Sequence, residues 1–190
     1  MARNYLPHAR VLAKSFRSNH PDGRMIVLVI DDLQHEVDPA VEPFEIYRLD
    51  DLGMDLSEFH RMAMIYDITE FATSLKPWLL EAILDSGVSH VLYLDPDIEV
   101  FDSLDRLERL AVEQGVVLIP HATTPYPRDG TTIVENAILF AGIYNLGFIG
   151  VGQASRPFLS FWQERLKREC INDQHQARFV DQRWVDFVPG

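Results

Sequence analysis

The chain has 190 residues, 47% of them hydrophobic and 24% charged, with ten glycines and eleven prolines; this balance excludes a disordered or collagen-like polymer and fits one globular domain, residues 1–190. Its 29 acidic residues against 17 basic leave a formal charge of -12, which excludes electrostatic capture of nucleic acid, because phosphate binding needs clustered Lys and Arg. The lone Cys170 cannot form an internal bridge, no apolar run reaches the roughly 18 residues of a membrane span, and Met1 to His8 lack a signal-peptide layout, so a cytoplasmic chain with no transmembrane segment is expected.

From the amino end, Leu6, Ala9, Leu12, Ala13 and Phe16 recur at the three-and-four spacing of an amphipathic helix, which Asn19-His20-Pro21-Asp22-Gly23 stops. Met25 to Ile30 is an unbroken apolar run ended by Asp31-Asp32 and reads as a strand covered on both faces. Phe44 to Leu49 alternates and reads as a second strand. Asp55 with Glu58, and Asp67 with Glu70, resemble capping pairs, so Ser57 to Ser86 reads as two consecutive helices, with Pro77 near the start of the second and Gly87 closing it. His90 to Leu94 is a third strand running into Asp95-Pro96-Asp97, Leu104 to Ala111 carries another helical face, and Gly115 to Pro120 is a fourth strand. His121 to Asn136 is polar and reads as a long loop. Ile138 to Val151, with Gly142, Gly147 and Gly150, reads as one or two strands near a site, and Phe158 to Glu169 and Phe179 to Phe187 as closing helices. Alternating strands and helices predict a doubly wound α/β fold with a mostly parallel sheet.

Ligands of open α/β sheets bind beyond the carboxyl ends of the strands, where Asp95-Pro96-Asp97 stands. Two carboxylates joined by a stiff proline offer hard oxygen ligands to Mg²⁺ or Mn²⁺, and such a cation reverses the sign that an acidic protein presents to a diphosphate. The same residues also suit an ordinary turn.

Further pieces stand in order around that turn: Thr73-Ser74-Leu75-Lys76-Pro77-Trp78 before it, then Tyr144-Asn145-Leu146-Gly147-Phe148 and Asp181-Gln182 after it. With them the sequence resembles the GT-A fold glycosyltransferases, especially the retaining glycogenin-like and bacterial galactosyltransferase-like group, from about Asn4 to the carboxyl end. The resemblance implies a Rossmann-like, mostly parallel central sheet flanked by helices, and transfer of a sugar from a nucleotide diphosphate sugar, a UDP-sugar in that group, to a sugar, lipid-linked or protein acceptor. It implies that Asp95 and Asp97 hold Mn²⁺ or Mg²⁺, that Lys76 touches the donor, and that Asn145, Asp181 and Gln182 line the donor sugar and the reaction centre.

These roles suit the chemistry, since glycosyl transfer builds positive charge on the ring and negative charge on the departing diphosphate. A cation acts there as a Lewis acid, Lys76 adds a point charge, and carboxylate and amide groups orient hydroxyls. Each residue also has a plainer reading: Lys76 as a solvated side chain, Asp181 as an N-cap, Asn145 as filling a bulge. Two parts of the family pattern are not visible, a strand before the helix at Leu6 and a metal-ligating histidine after Asp181-Gln182. A fragment is therefore expected, with weak Mn²⁺ dependence, an open strand edge at Met25, and a homodimer through that edge.

Asp31 and Asp32 could reach a uridine or ribose, but a turn is the favoured reading. The histidines form no zinc-ligand spacing, Cys170 reads as an inert thiol, and Trp78, Trp162 and Trp184 as core. Two rival functions remain: a nucleotide-sugar-binding domain without turnover, and a phosphohydrolase of the haloacid dehalogenase type, whose motif calls for a small or β-branched residue where Glu99 stands.

Overall fold

Helix α1 (Leu6–Asn19) begins with Pro7 in its first turn, where a helix has no use for the missing N–H. Its inner face, Leu6, Ala9 and Ala13, is buried with Val27 and Val29. These last residues belong to strand β1 (Ile26–Leu28) and its extension, and β1 pairs in parallel with β2 (Glu45–Tyr47). The computed structural model describes residues 1–130 and 135–188, so residues 131–134 of the expected polar loop, with Pro189 and Gly190, lie outside the described residues.

Asp31 and Asp32 take the turn role. One oxygen of Asp32 accepts the N–H groups of Glu36 and Val37 at 2.8 and 3.1 Å, and the other meets Arg48 at 2.9 Å. Asp31 accepts the Arg3 N–H at 2.8 Å.

Where two helices were expected, three form: α2 (Leu56–Ile65), α3 (Ile68–Ser74) and α4 (Lys76–Asp85). Asp55 and Asp67 each accept two N–H groups of the first turn, and Glu70 closes a reciprocal box with Asp67. Pro77 has no N–H to continue the ladder, so α3 and α4 meet at Leu75 instead of merging.

Strand β3 (His90–Leu94), helix α5 (Asp105–Gln114), strand β4 (Val116–Pro120), helix α6 (Glu135–Ala141), strand β5 (Tyr144–Gly152) and helix α7 (Arg156–Leu166) follow. The second sheet runs β3-β5-β4, with β5 antiparallel to both neighbours. This corrects the expected mostly parallel central sheet: among the described residues parallel pairing joins β1 to β2, while β3 and β4 run the same way on either side of β5 without pairing to each other. The cause lies in the connection. The chain leaves the sheet at Pro120 and returns at Tyr144, its direct partner, and His121 donates to Ile143 O at 2.9 Å. A segment that re-enters at the end it left must run back antiparallel, whereas parallel pairing needs a crossover to the opposite end.

Two further expectations change. Ile138 to Ala141 lies in α6, which Gly142 ends at φ 117. Phe179 to Phe187 is not one helix: β6 (Asn172–Asp173) pairs with β7 (Arg178–Phe179), Val180 takes a left-handed φ of 41, and a 3₁₀ segment runs from Gln182 to Phe187. A β-branched residue at positive φ breaks a helix.

The main core joins Leu80 and Leu84 of α4, Ile149 and Val151 of β5, and Leu159, Trp162 and Leu166 of α7, all essentially inaccessible. Each such side chain contributes about 1.5–3 kcal/mol by burial. Against the other face of β5 lies α5, so close that a Cβ on Gly152 would stand 2.2 Å from Ala111 O. Among the described residues no helix is long and apolar enough to cross a membrane.

Candidate functional site

β3 delivers Tyr93 and Asp95 to one face of the chain, because strand side chains alternate. The Tyr93 hydroxyl donates to Asp95 Oδ1 at 2.7 Å. Beside them, the start of α4 points the Lys76 ammonium inward, where it lies 4.6 Å from the centroid of the Tyr93 ring and 3.7 Å from Asp95 Oδ1. It also donates to Leu146 O at 3.1 Å and stands 2.9 Å from Asp181 Oδ2. Lys76 is 5% exposed and Asp181 2%. The Asp181 Oδ2 atom is buried, with the Lys76 ammonium as its near charged neighbour.

A lysine in so dry a place is set by its neighbours. Burial alone would lower the Lys76 ammonium, but Asp181, Tyr93 and Asp95 outweigh it and hold the group well above the usual lysine range. Burial pushes the Asp181 carboxyl up against the opposing pull of Lys76. Burial likewise raises the Tyr93 hydroxyl, which stays protonated and able to donate. Lys76 therefore faces Asp181, Asp95 and Leu146 O, and its charge reaches the strand end through Asp95.

β5 runs alongside. The Asp95 N–H donates to Gly147 O at 2.8 Å, and a Cβ on Gly147 would lie 3.6 Å from Asp95 Oδ2 and 3.0 Å from Asn145 Oδ1. The tight approach is to Asn145 Oδ1, while the Asp95 oxygen would meet a Cβ there only in ordinary contact. Asn145 is exposed, and its Oδ1 accepts the Gly147 N–H at 2.8 Å. Gln182 is nearly buried and acts as a clamp: its Oε1 accepts the Leu146 N–H at 3.3 Å, and its Nε2 donates to Ala141 O at 3.0 Å. Asp181 O accepts the Trp162 indole N–H at 3.1 Å, tying the segment to α7.

Of the residues predicted from sequence, Lys76, Asp95, Asn145, Asp181 and Gln182 gather at the carboxyl end of β3 and the first half of β5. Asp97 stands exposed in the turn beyond Asp95. Sequence reasoning missed Tyr93 and the contact of Gly147 with Asp95. Both had a signal: Tyr93 lies two residues before Asp95 on a strand, and Gly147 two after Asn145.

Asp95 and Asp97 suit a hard cation by their donor type, and the geometry leaves one Asp95 oxygen available, since Oδ1 is taken by Tyr93 and Lys76 while Oδ2 faces Gly147. Among the described residues, one other group brings three possible ligand atoms within 4.8 Å of one another: His20, Asp105 and Glu108. Its chemistry fits poorly. His20 Nε2 accepts the Leu104 N–H at 2.8 Å, so the neutral ring carries its proton on Nδ1, pointing at Glu108 and Asp105 at 3.6 and 3.9 Å. Nδ1 then has no lone pair for a metal.

These elements share the fold of a solved galactosyltransferase. The structure superposes on the crystal structure of the galactosyltransferase LgtC in complex with donor and acceptor sugar analogs, with a TM-score of 0.55 and 20% identity, over 98% of this chain and 67% of that one. No protein-family model matches the chain. A curated relative, the uncharacterized protein YfnF of Bacillus subtilis (strain 168), is 23% identical over 199 residues, and the chain spans 63% of its length.

Proposed function

We propose that the chain is a metal-assisted glycosyltransferase domain that takes a sugar from a nucleotide diphosphate sugar, a UDP-sugar, for an acceptor. One observation carries this reading: the buried Lys76–Asp181 pair and the Tyr93 hydroxyl converge on Asp95 at the end of β3, in a fold shared with a galactosyltransferase. Asp95 Oδ2 and Asp97 would hold Mn²⁺ or Mg²⁺, which supplies Lewis-acid stabilisation to the departing diphosphate. Tyr93 and Lys76 restrain the Asp95 carboxylate, and the Lys76 charge lies beneath the developing negative charge. Asn145, exposed on β5, offers its amide to sugar hydroxyls. Asp181 and Gln182 brace Lys76 and the Leu146 backbone, and through them the floor of the site.

Titration calorimetry with UDP and Mn²⁺ tests this reading. Binding should need the metal and fall at least tenfold in Asp95→Ala and Asp97→Ala; metal-dependent binding that survives both substitutions overturns the site. A second reading is favoured by the same burial: Asp181 and Gln182 are spent on internal contacts, which suits a domain that binds a nucleotide sugar without turnover. Release of UDP from a UDP-sugar separates the two.

A further inference from the structure

Helix α4 holds Lys76 at its first residue, and beyond it Trp78, Glu81 and Asp85 stand at the three-and-four spacing of one helix face. With Gln163 of α7 and the first turn of α2 they line a cleft of about 490 Å³, inside the roughly 300–1,000 Å³ of small-molecule sites. Most charges around this cleft are already matched. Asp85 meets Arg156 at 2.7 Å, Lys167 meets Glu164 at 2.7 Å, Glu58 pairs with Arg61 and Arg168, and Asp55 caps α2. Glu81 differs: among the described residues no cation pairs with its carboxylate, whose Oε2 accepts the Gln163 amide at 2.6 Å. The Oε1 atoms of Glu81 and Gln163 remain as acceptors.

Trp78 adds a donor. The indoles of Trp162 and Trp184 donate to Asp181 O and Glu169 O, as a buried indole N–H ordinarily does. Trp78 is only 8% exposed, yet its N–H donates to no described residue, and its nitrogen is not sealed from solvent. The cleft is the opening that Trp78 lines.

We propose that this cleft binds a neutral saccharide, apart from the Asp95 centre and independently of the function proposed for it. A hydroxyl both donates and accepts, so one sugar ring can give protons to Glu81 and Gln163 and take the indole proton of Trp78. Other ligand classes each leave a group unmatched. An ammonium answers Glu81 but cannot accept from the indole. A phosphate or carboxylate meets the unpaired Glu81 charge while the nearby cations are already engaged, and a metal ion gains no ligand from an indole N–H.

The test is ¹H–¹⁵N correlation NMR of the full chain, which has three tryptophans, with glucose, galactose, N-acetylglucosamine and lactose each added to about 100 mM. At least one sugar should shift the Trp78 indole signal saturably, with a Kd of about 1–10 mM, and leave the indoles of Trp162 and Trp184 and the amides of Asp95 and Asn145 in place. Glu81→Ala should weaken that binding about tenfold or more. Without sugar, the Trp78 N–H should exchange with solvent about tenfold faster than the other two indoles, and the bound sugar should slow it. No shift with any of the four sugars overturns the site, as does a shift that Glu81→Ala leaves intact. Shifts that centre on Asp95 and Asn145 and spare Trp78 place the sugar in the transfer site and overturn the cleft. A larger Trp78 shift with methylammonium than with any sugar overturns the saccharide in favour of a cation. If Glu81→Ala does not fold, exchange in the unaltered chain decides: slowing by sugar confined to Trp78 supports the site, and equal exchange with and without sugar overturns it.

Discussion

The Lys76 ammonium stands 2.9 Å from Asp181 Oδ2 in an environment where both side chains are almost wholly inaccessible. Truncating one partner of such a pair strands the other's charge, at a cost of about 3–5 kcal/mol, whereas replacing both with apolar residues of similar volume is often neutral. Lys76→Met should therefore lower the urea midpoint sharply, and Lys76→Met with Asp181→Leu should recover most of the loss. Equal, additive losses in a double-mutant cycle would mean the two groups do not interact.

Tyr93 supplies the next test, since its hydroxyl fixes Asp95 Oδ1 at 2.7 Å while the ring stays packed under Lys76. Tyr93→Phe removes one hydrogen bond worth about 0.5–1.5 kcal/mol, without altering the ring. The fold should persist by circular dichroism, while Mn²⁺ affinity with UDP present falls about two- to tenfold by calorimetry. Unchanged affinity would release Tyr93 from any part in orienting Asp95.

Much of this arrangement was legible in the sequence, and the omissions have physical causes. Helix α1, strand β3 and the capping aspartates follow from local patterns, and the structure keeps them. The direction of β5 does not. It depends on where the excursion between Pro120 and Tyr144 re-enters the sheet, and an apolar run carries no record of that. The expected helix at Phe179 failed because Arg178 and Phe179 pair as β7 with β6 and Val180 takes a left-handed backbone, which a β-branched residue disfavours and a local pattern does not announce. At the site, Asp95, Lys76 and Asp181 could be named from ordered motifs, but whether Lys76 faces solvent or Asp181 is decided by how α4 packs on β3 and β5.

Cys170 gives a prediction in solution chemistry. Burial pushes its thiol well above the usual 9.0, and the thiol donates to Glu70 O at 3.3 Å. Ellman's reagent should leave native protein unmodified at pH 8 and react fully in 6 M guanidinium, since only the thiolate attacks. The sign of the stability effect follows by linkage. Above pH 9.0 the unfolded chain releases this proton while the native state keeps it, so stability falls as pH rises. Cys170→Ala should lack that part of the alkaline slope, and an identical slope in both proteins would rule out the linkage.

Gly152 tests the contact between α5 and β5. A methyl there would stand 2.2 Å from Ala111 O and 3.0 Å from its carbonyl carbon. Both atoms are backbone, so no side chain can swing aside, and α5 must shift off the strand. Overpacking of this kind costs about 1–3 kcal/mol, occasionally more. Gly130→Ala is the control: it has open space around it but a φ of 76, so it bears only a left-handed backbone penalty of about 1–2 kcal/mol. Urea unfolding should place Gly152→Ala below Gly130→Ala. Hydrogen exchange should locate the damage in Val116 and Val117, which pair with β5 beside the contact, while β1 and β2 keep their protection. Uniform loss across both sheets would show that the α5 contact is not local to its own sheet.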